Sequence, residues 1–239
     1  MDSISITCEM MPHRYDLHIH SNFSDGQASI NEITERANML HLETIAITDH
    51  FWPSLGSQFG GKNLIENRRK QIEKRRMDFP EMLILDGVEV DIQSNGELAP
   101  VDGGLSQFDL VIGSFHWVTD STRWVSALQK ALRMNSFHIL GHWDGYLSSY
   151  REEDGERAVE LLAEAGVTIE LNARYMTENP DFLESAKKAG CKFTLGSDSH
   201  IKETIGQLEF QRKLAVDYEL EMLNPHDLTR ISGIHRNAT

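Results

Sequence analysis

His18 and His20 stand one residue apart in Tyr15-Asp16-Leu17-His18-Ile19-His20, and on a β-strand that spacing turns both imidazoles to one face. Two neutral imidazoles on one face are the beginning of a divalent-metal site. The same residue types recur where other apolar runs end. Asp49-His50 follows Ile45-Ala46-Ile47, Glu89 follows Leu83-Ile84-Leu85, and His116 follows Leu110-Val111-Ile112. His142 follows Ile139-Leu140, and Asp198 with His200 follows Phe193-Thr194-Leu195. Acidic and imidazole groups converging on a core would carry a large desolvation cost, which a bound cation offsets. Isolated histidines such as His41, His138 and His226 read instead as ordinary structural residues.

Positioning such a constellation requires elements that deliver one residue each to a common end. Apolar runs near 15–19, 44–48, 82–91, 109–113, 138–142, 167–171 and 192–196 predict seven strands. Between them, stretches of helical period near 28–40, 62–78, 122–134, 155–165, 181–189 and 204–217 predict helices, with Gly166 and Gly190 as stops. Asn224-Pro225 predicts an N-cap and first helical residue of a short closing helix. Continuous apolar strands alternating with helices make a parallel sheet or barrel, whose chemistry collects at the C-terminal strand ends. The 239 residues are expected to form one domain, residues 1–239.

The balance of 23 Lys plus Arg against 37 Asp plus Glu, a net charge of −14, argues against a broad, nonspecific hold on nucleic acid. No apolar stretch approaches the roughly 18 to 20 residues that span a bilayer, and residues 1–14 lack the pattern of a signal peptide, so a cytoplasmic location is expected. Cys8 and Cys191 form neither a disulfide framework nor a CxxC zinc site and read as small buried hydrophobes. Gly56 to Lys62 fits the spacing of a phosphate-binding loop, but Asn63 replaces the Ser or Thr that would hold magnesium and no strand leads into it. A loop beside the site is the better reading. The basic stretch from Lys62 to Arg76 reads as a solvated helix face.

The order His18, His20, Ser24-Asp25-Gly26, Thr48-Asp49-His50, Gly87-Val88-Glu89, Gly113-Ser114-Phe115-His116, Gly141-His142 and Gly196-Ser197-Asp198-Ser199-His200 resembles the PHP family, named for polymerase and histidinol phosphatase. The resemblance runs from about Asp16 to His200 and implies a distorted seven-stranded β/α barrel, TIM-like, with two or three divalent ions (zinc, manganese or iron) at its mouth. It implies that His18, His20, Glu89 and Asp198 hold one metal, that Asp25, His50 and His200 hold a second, and that Glu89, His116 and His142 hold a third, with Glu89 bridging. Asp49 reads equally as a carboxylate orienting a ligand and as a cap at its strand end. An amidohydrolase-like C–N hydrolase would share the opening HxH and a late Asp, but it typically bridges its metals through a carbamylated Lys where this chain offers Glu89.

The resemblance further implies metal-dependent hydrolysis of a small phosphorylated substrate, with histidinol phosphate or a nucleotide-type phosphomonoester as candidates and Asp198, His200, Glu89 and Arg174 as catalytic residues. Histidinol phosphatases of the family usually carry His near the position of Asp25, and that departure weakens the histidinol assignment. A non-catalytic or polymerase-associated metal-binding module is the alternative. Arg174, just beyond the sixth strand, is the candidate clamp for a phosphoryl oxygen, because a planar guanidinium suits two-point contact. Arg123 is second choice, and a surface ion pair with Glu170 or Glu178 would be the structural role of Arg174.

Overall fold

The computed structural model describes residues 13–51, 61–134, 137–177 and 179–231. Seven parallel strands form one sheet in the order β1 (Tyr15–Ile19), β2 (Thr44–Ile47), β3 (Leu83–Asp91), β4 (Leu110–Ser114), β6 (Ile139–Leu140), β8 (Thr168–Asn172) and β9 (Phe193–Gly196). The sheet curls until its ends meet. Ile19 and Ser199 form a parallel bridge, and the His20 N–H donates to the Ser199 carbonyl at 2.9 Å, so the sheet nearly closes into a barrel. Each strand is almost wholly buried, as expected of a parallel sheet covered by helices. Two short strands that no apolar run announces, β5 (Thr119–Asp120) and β7 (Leu147–Ser149), pair outside the main sheet.

Helices α1 (Ile30–Met39), α2 (Lys62–Asp78), α3 (Ser121–Arg133), α4 (Glu152–Ala165), α5 (Pro180–Lys188), α6 (Glu209–Asp217) and α7 (Pro225–Ile231) fill the intervals. Their ends follow local chemistry. Ser29 and Glu32 make a reciprocal capping box on α1, and the Asp120 carboxylate accepts the Arg123 N–H at the start of α3. Gly166 ends α4 at φ +67°, a conformation that costs glycine little. Helix α6 begins later than its period predicts, because a 3-10 turn at Lys202–Thr204 intervenes after the Asp198-His200 loop.

The basic stretch on α2 is a solvated face only at Lys62, Lys70 and Lys74; its arginines turn inward. Arg68 is fully buried, and its guanidinium donates to Asp86 Oδ1 (2.7 Å), to the Gly87 carbonyl (2.6 Å) and to the Ile47 carbonyl. Its Nε also lies 2.7 Å from Asp49 Oδ2. Arg69 pairs with Asp86 at 2.6 Å and Arg76 with Asp109 at 2.5 Å. Charge run and periodicity describe the helix surface correctly but say nothing of carboxylates on neighbouring strands, and those bring the arginines inward. Most of the Gly56–Lys62 stretch lies outside the described residues, as does Cys8, whereas Cys191 is a buried free thiol. No helix among the described residues is long and apolar enough to cross a membrane.

Breaking a buried pair leaves its partner charge uncompensated, which costs about 3–5 kcal/mol. Arg68→Met is therefore expected to lose a stability of that size in chemical denaturation. Exposed Lys74→Met on the same helix should change it by less than about 0.5 kcal/mol. Equal effects would return the run to a solvated face.

Candidate metal centre

All nine side chains singled out by the sequence lie at the C-terminal end of the sheet, six of them buried. His18 and His20 leave the end of β1, Glu89 sits on β3, and His50, His116, His142, Asp198 and His200 follow β2, β4, β6 and β9. Asp25 comes from the loop after β1, which folds back tightly on His20. A Cβ on Gly26 would stand 2.2 Å from the His20 carbonyl oxygen, so only glycine fits.

Glu89 occupies the centre. Its Oε2 lies 3.1 Å from His18 Nε2 and 3.3 Å from both His20 Nε2 and His50 Nε2, while its Oε1 lies 2.9 Å from His142 Nε2 and 3.4 Å from His116 Nε2. Asp198 Oδ1 approaches His20 Nε2 at 3.4 Å and His18 Nε2 at 4.0 Å, and Asp25 Oδ2 approaches His200 Nε2 at 3.0 Å. Among the described residues, donor atoms converge closely enough to share an ion in three groups: His18 with His20 and Glu89, His20 with Asp25 and His200, and His50 with Glu89 and His116. His50 thus joins Glu89 and His116, whereas the sequence resemblance pairs it with Asp25 and His200.

The donor set fits divalent cations. His18 directs Nδ1 to Glu170 Oε1 at 2.7 Å, which leaves its Nε2 facing His20 Nε2, only 3.1 Å away. Two imidazole nitrogens and a carboxylate oxygen converging in a fully buried place need a positive charge among them, which protons on the rings supply in the metal-free protein and a divalent cation can supply in their place. Six imidazoles with three carboxylates suit zinc, iron or manganese.

Protonation follows the same electrostatics. Burial opposes charge on His20, yet hydrogen bonds to Asp198 and Glu89 and the Glu89 charge outweigh it and hold its pKa at about 9. Burial is likewise outweighed at His116, where Glu89 and Asp91 raise the pKa to about 10. His50, where burial prevails and His20 and His116 repel a further charge, falls to about 4. Burial would raise Glu89 and Asp198, but the surrounding imidazoles hold both below the usual carboxylate range.

Carboxylates behind the ligands fix their rings. The sequence offered Glu170 only as a surface ion-pair partner for Arg174; instead, buried on β8, it holds His18 with one oxygen while its other accepts the His142 N–H (2.8 Å) and the Asn172 amide (2.9 Å). Gly196 makes room for it, since a Cβ there would lie 1.8 Å from Glu170 Oε1. Asp91 holds His116 Nδ1 at 2.7 Å. Asp49 orients no imidazole. Its oxygens accept from the Ser21 N–H, the Ser21 hydroxyl and the Ser24 hydroxyl, all at 2.7–2.8 Å, and so tie down the loop that carries Asp25. Asp16, also buried, accepts from the Ser197 and Gly206 N–H groups at 2.9 Å each and anchors the segment around Asp198.

Arg174 reaches the centre's rim half-exposed, with Nη1 2.6 Å from His200 Nδ1 and 3.7 Å from Asp198 Oδ1. It does not pair with Glu170, which is engaged elsewhere, and Glu178 lies outside the described residues. Arg123 is 80% exposed and faces its own helix cap, Asp120, so it has no part in the centre. His138 accepts the Val111 N–H and His41 is exposed beyond α1, both structural.

Residues 16–174 match the PHP domain. The chain belongs to the PHP domain family. It is 30% identical over 223 residues to a probable phosphatase of Caldicellulosiruptor bescii, covering 85% of this chain and 87% of that one. It is 27% identical over 214 residues to a probable histidinol-phosphatase of Thermotoga maritima, covering 80% and 86%. It is also 29% identical over 215 residues to the DNA polymerase/3'-5' exonuclease PolX of Bacillus subtilis, where the alignment takes in 87% of this chain but 38% of the polymerase. The crystal structure of histidinol phosphate phosphatase from Lactococcus lactis, complexed with zinc, L-histidinol and phosphate, superposes with a TM-score of 0.68 over 88% of this PHP chain and 95% of its own. At 20% identity the likeness is one of fold.

Two expectations follow. Because His20 and His116 keep their protons to about pH 9 and 10, a divalent cation must displace them, so binding releases protons near pH 7 and tightens as pH rises toward those values. Calorimetry of zinc binding in buffers of different ionisation enthalpy reads the released protons, and a buffer-independent heat would refute it. Glu170→Gln keeps the shape but weakens the hold on His18, and metal affinity measured by competition with a chelator should fall about 10–100-fold. An unchanged affinity would limit Glu170 to packing.

Proposed function

We propose that this PHP chain acts as a single domain that hydrolyses small phosphate monoesters with two or three divalent cations held by His18, His20, Asp25, His50, Glu89, His116, His142, Asp198 and His200. The central observation is the two-sided approach of Glu89, one oxygen toward His18, His20 and His50 and the other toward His116 and His142, the arrangement of a bridging carboxylate. Bound divalent cations supply Lewis acidity, neutralising phosphoryl oxygens and making a water acidic enough to attack at neutral pH.

The protein's own contribution is placement. Glu170 and Asp91 hold the rings of His18 and His116, so no reorganisation of these groups is needed as charge develops. Positive φ at His142 (+22°) and Asp198 (+52°), a conformation costing about 1–3 kcal/mol at a non-glycine residue, aims both side chains into the centre. Arg174, half-exposed and held at the rim by His200 and Asp198, would offer its guanidinium to a phosphoryl oxygen that the cations do not reach, and these two neighbours complete the phosphate pocket. The similarities to named phosphatases favour a monoester, and a cytoplasmic setting agrees with the free thiol of Cys191.

The likeness to an exonuclease-bearing polymerase favours phosphodiesters as a second reading, and one assay separates the two. Zinc- or manganese-loaded protein is expected to turn over p-nitrophenyl phosphate and to leave bis-p-nitrophenyl phosphate nearly untouched. Asp198→Ala should lose both turnover and bound metal. Arg174→Ala should lose about a hundredfold in kcat with metal content, read by elemental analysis, unchanged. Preference for the diester would move the assignment, and an Arg174 variant within threefold of the parent would remove the clamp.

A further inference from the structure

A cavity of about 350 Å³ opens beside the ligand cluster, walled by Arg174, Ile201, Thr204 and Gln207, with Asp198 and His200 of the cluster also lining it. It is the space next to the phosphate pocket proposed above, and its chemistry selects what hangs from the phosphate. Among the described residues lining it, Asp198 is the sole acidic side chain, and that carboxylate is already directed at His18, His20 and Arg174. Apart from Arg174 and His200, the remaining walls are neutral. The Thr204 hydroxyl lies 3.0 Å from the Ile201 carbonyl and 3.1 Å from Ser199 Oγ, which leaves its oxygen a lone pair to accept with; Gln207 donates to the Glu203 carbonyl (2.9 Å) and keeps its oxygen as an acceptor, while Ile201 presents apolar surface.

We infer that this cavity is a leaving-group subsite for neutral, hydroxyl-bearing alcohols and that it discriminates against leaving groups carrying an ammonium. The inference rests on the phosphatase reading and deepens it. A cavity of this size keeps an ammonium within about 8 Å of the Arg174 guanidinium, inside the screening length at physiological salt, with no unengaged carboxylate to compensate. Bound cations add charge of the same sign. A hydroxyl meets no such repulsion and finds the Thr204 and Gln207 oxygens. Amino alcohols such as histidinol therefore fit this wall poorly, and polyols or sugars fit it well.

An isosteric pair tests this directly: 2-hydroxyethyl phosphate and 2-aminoethyl phosphate differ only in hydroxyl against ammonium. The metal-loaded full chain is expected to show kcat/KM at least tenfold higher for the hydroxyethyl ester. Gln207→Glu, which places a carboxylate on the wall, should cut that ratio by at least tenfold. Both rates are taken on the same preparation, so the ratio does not depend on the folded fraction. A parent ratio below tenfold overturns the inference, and so does a ratio that Gln207→Glu leaves unmoved. If neither ester nor p-nitrophenyl phosphate is hydrolysed, the phosphatase reading itself fails and takes this one with it. Turnover of p-nitrophenyl phosphate with no preference between the two esters overturns the subsite alone.

Discussion

Five imidazoles surround the two oxygens of one buried carboxylate, Glu89, and much of the surrounding structure can be understood as what it takes to keep them there. Removing so many polar groups from water is costly, and the cost is offset only if each keeps a partner of opposite character. Hence a shell of carboxylates stands behind the ring of ligands, with Glu170 behind His18 and Asp91 behind His116. Further out, Arg68 balances Asp49 and Asp86, so the alternation of charge extends from the centre to helix α2.

Much of the fold was legible because a parallel strand buried on both faces writes its own signature, and β1, β2, β3, β4, β8 and β9 fall where apolar runs end in polar residues. β6 shortens to Ile139–Leu140, and the β5–β7 pair was missed because two or three residues of mixed character carry no period. The grouping of candidate ligands was legible in type and placement but not in partnership. Nothing in the chain order says that His50 faces Glu89 and His116 rather than Asp25, since that depends on how far the barrel curls.

Supporting residues were less visible than ligands, for a physical reason. Glu170 lies inside an apolar run rather than at its end, and its partner His18 is remote in sequence. One signal did exist: Gly196 stands in a strand where a β-branched residue would be ordinary, and a glycine inside a strand marks the close approach of another group. Arg68 was similarly disguised, because a basic run on a helix looks alike whether its side chains reach water or a neighbouring strand's carboxylate.

The seam between β1 and β9 has a further meaning. It joins the first strand of the sheet to the last through few backbone bonds, chiefly His20 to Ser199, and candidate ligands stand on both sides of it: His18 and His20 on one edge, Asp198 and His200 on the other. An ion held across that line acts as a rivet between the two ends of the sheet. A cation bound there would add to the bonds that already close the barrel, so the stability of the seam would rise with the free concentration of that cation.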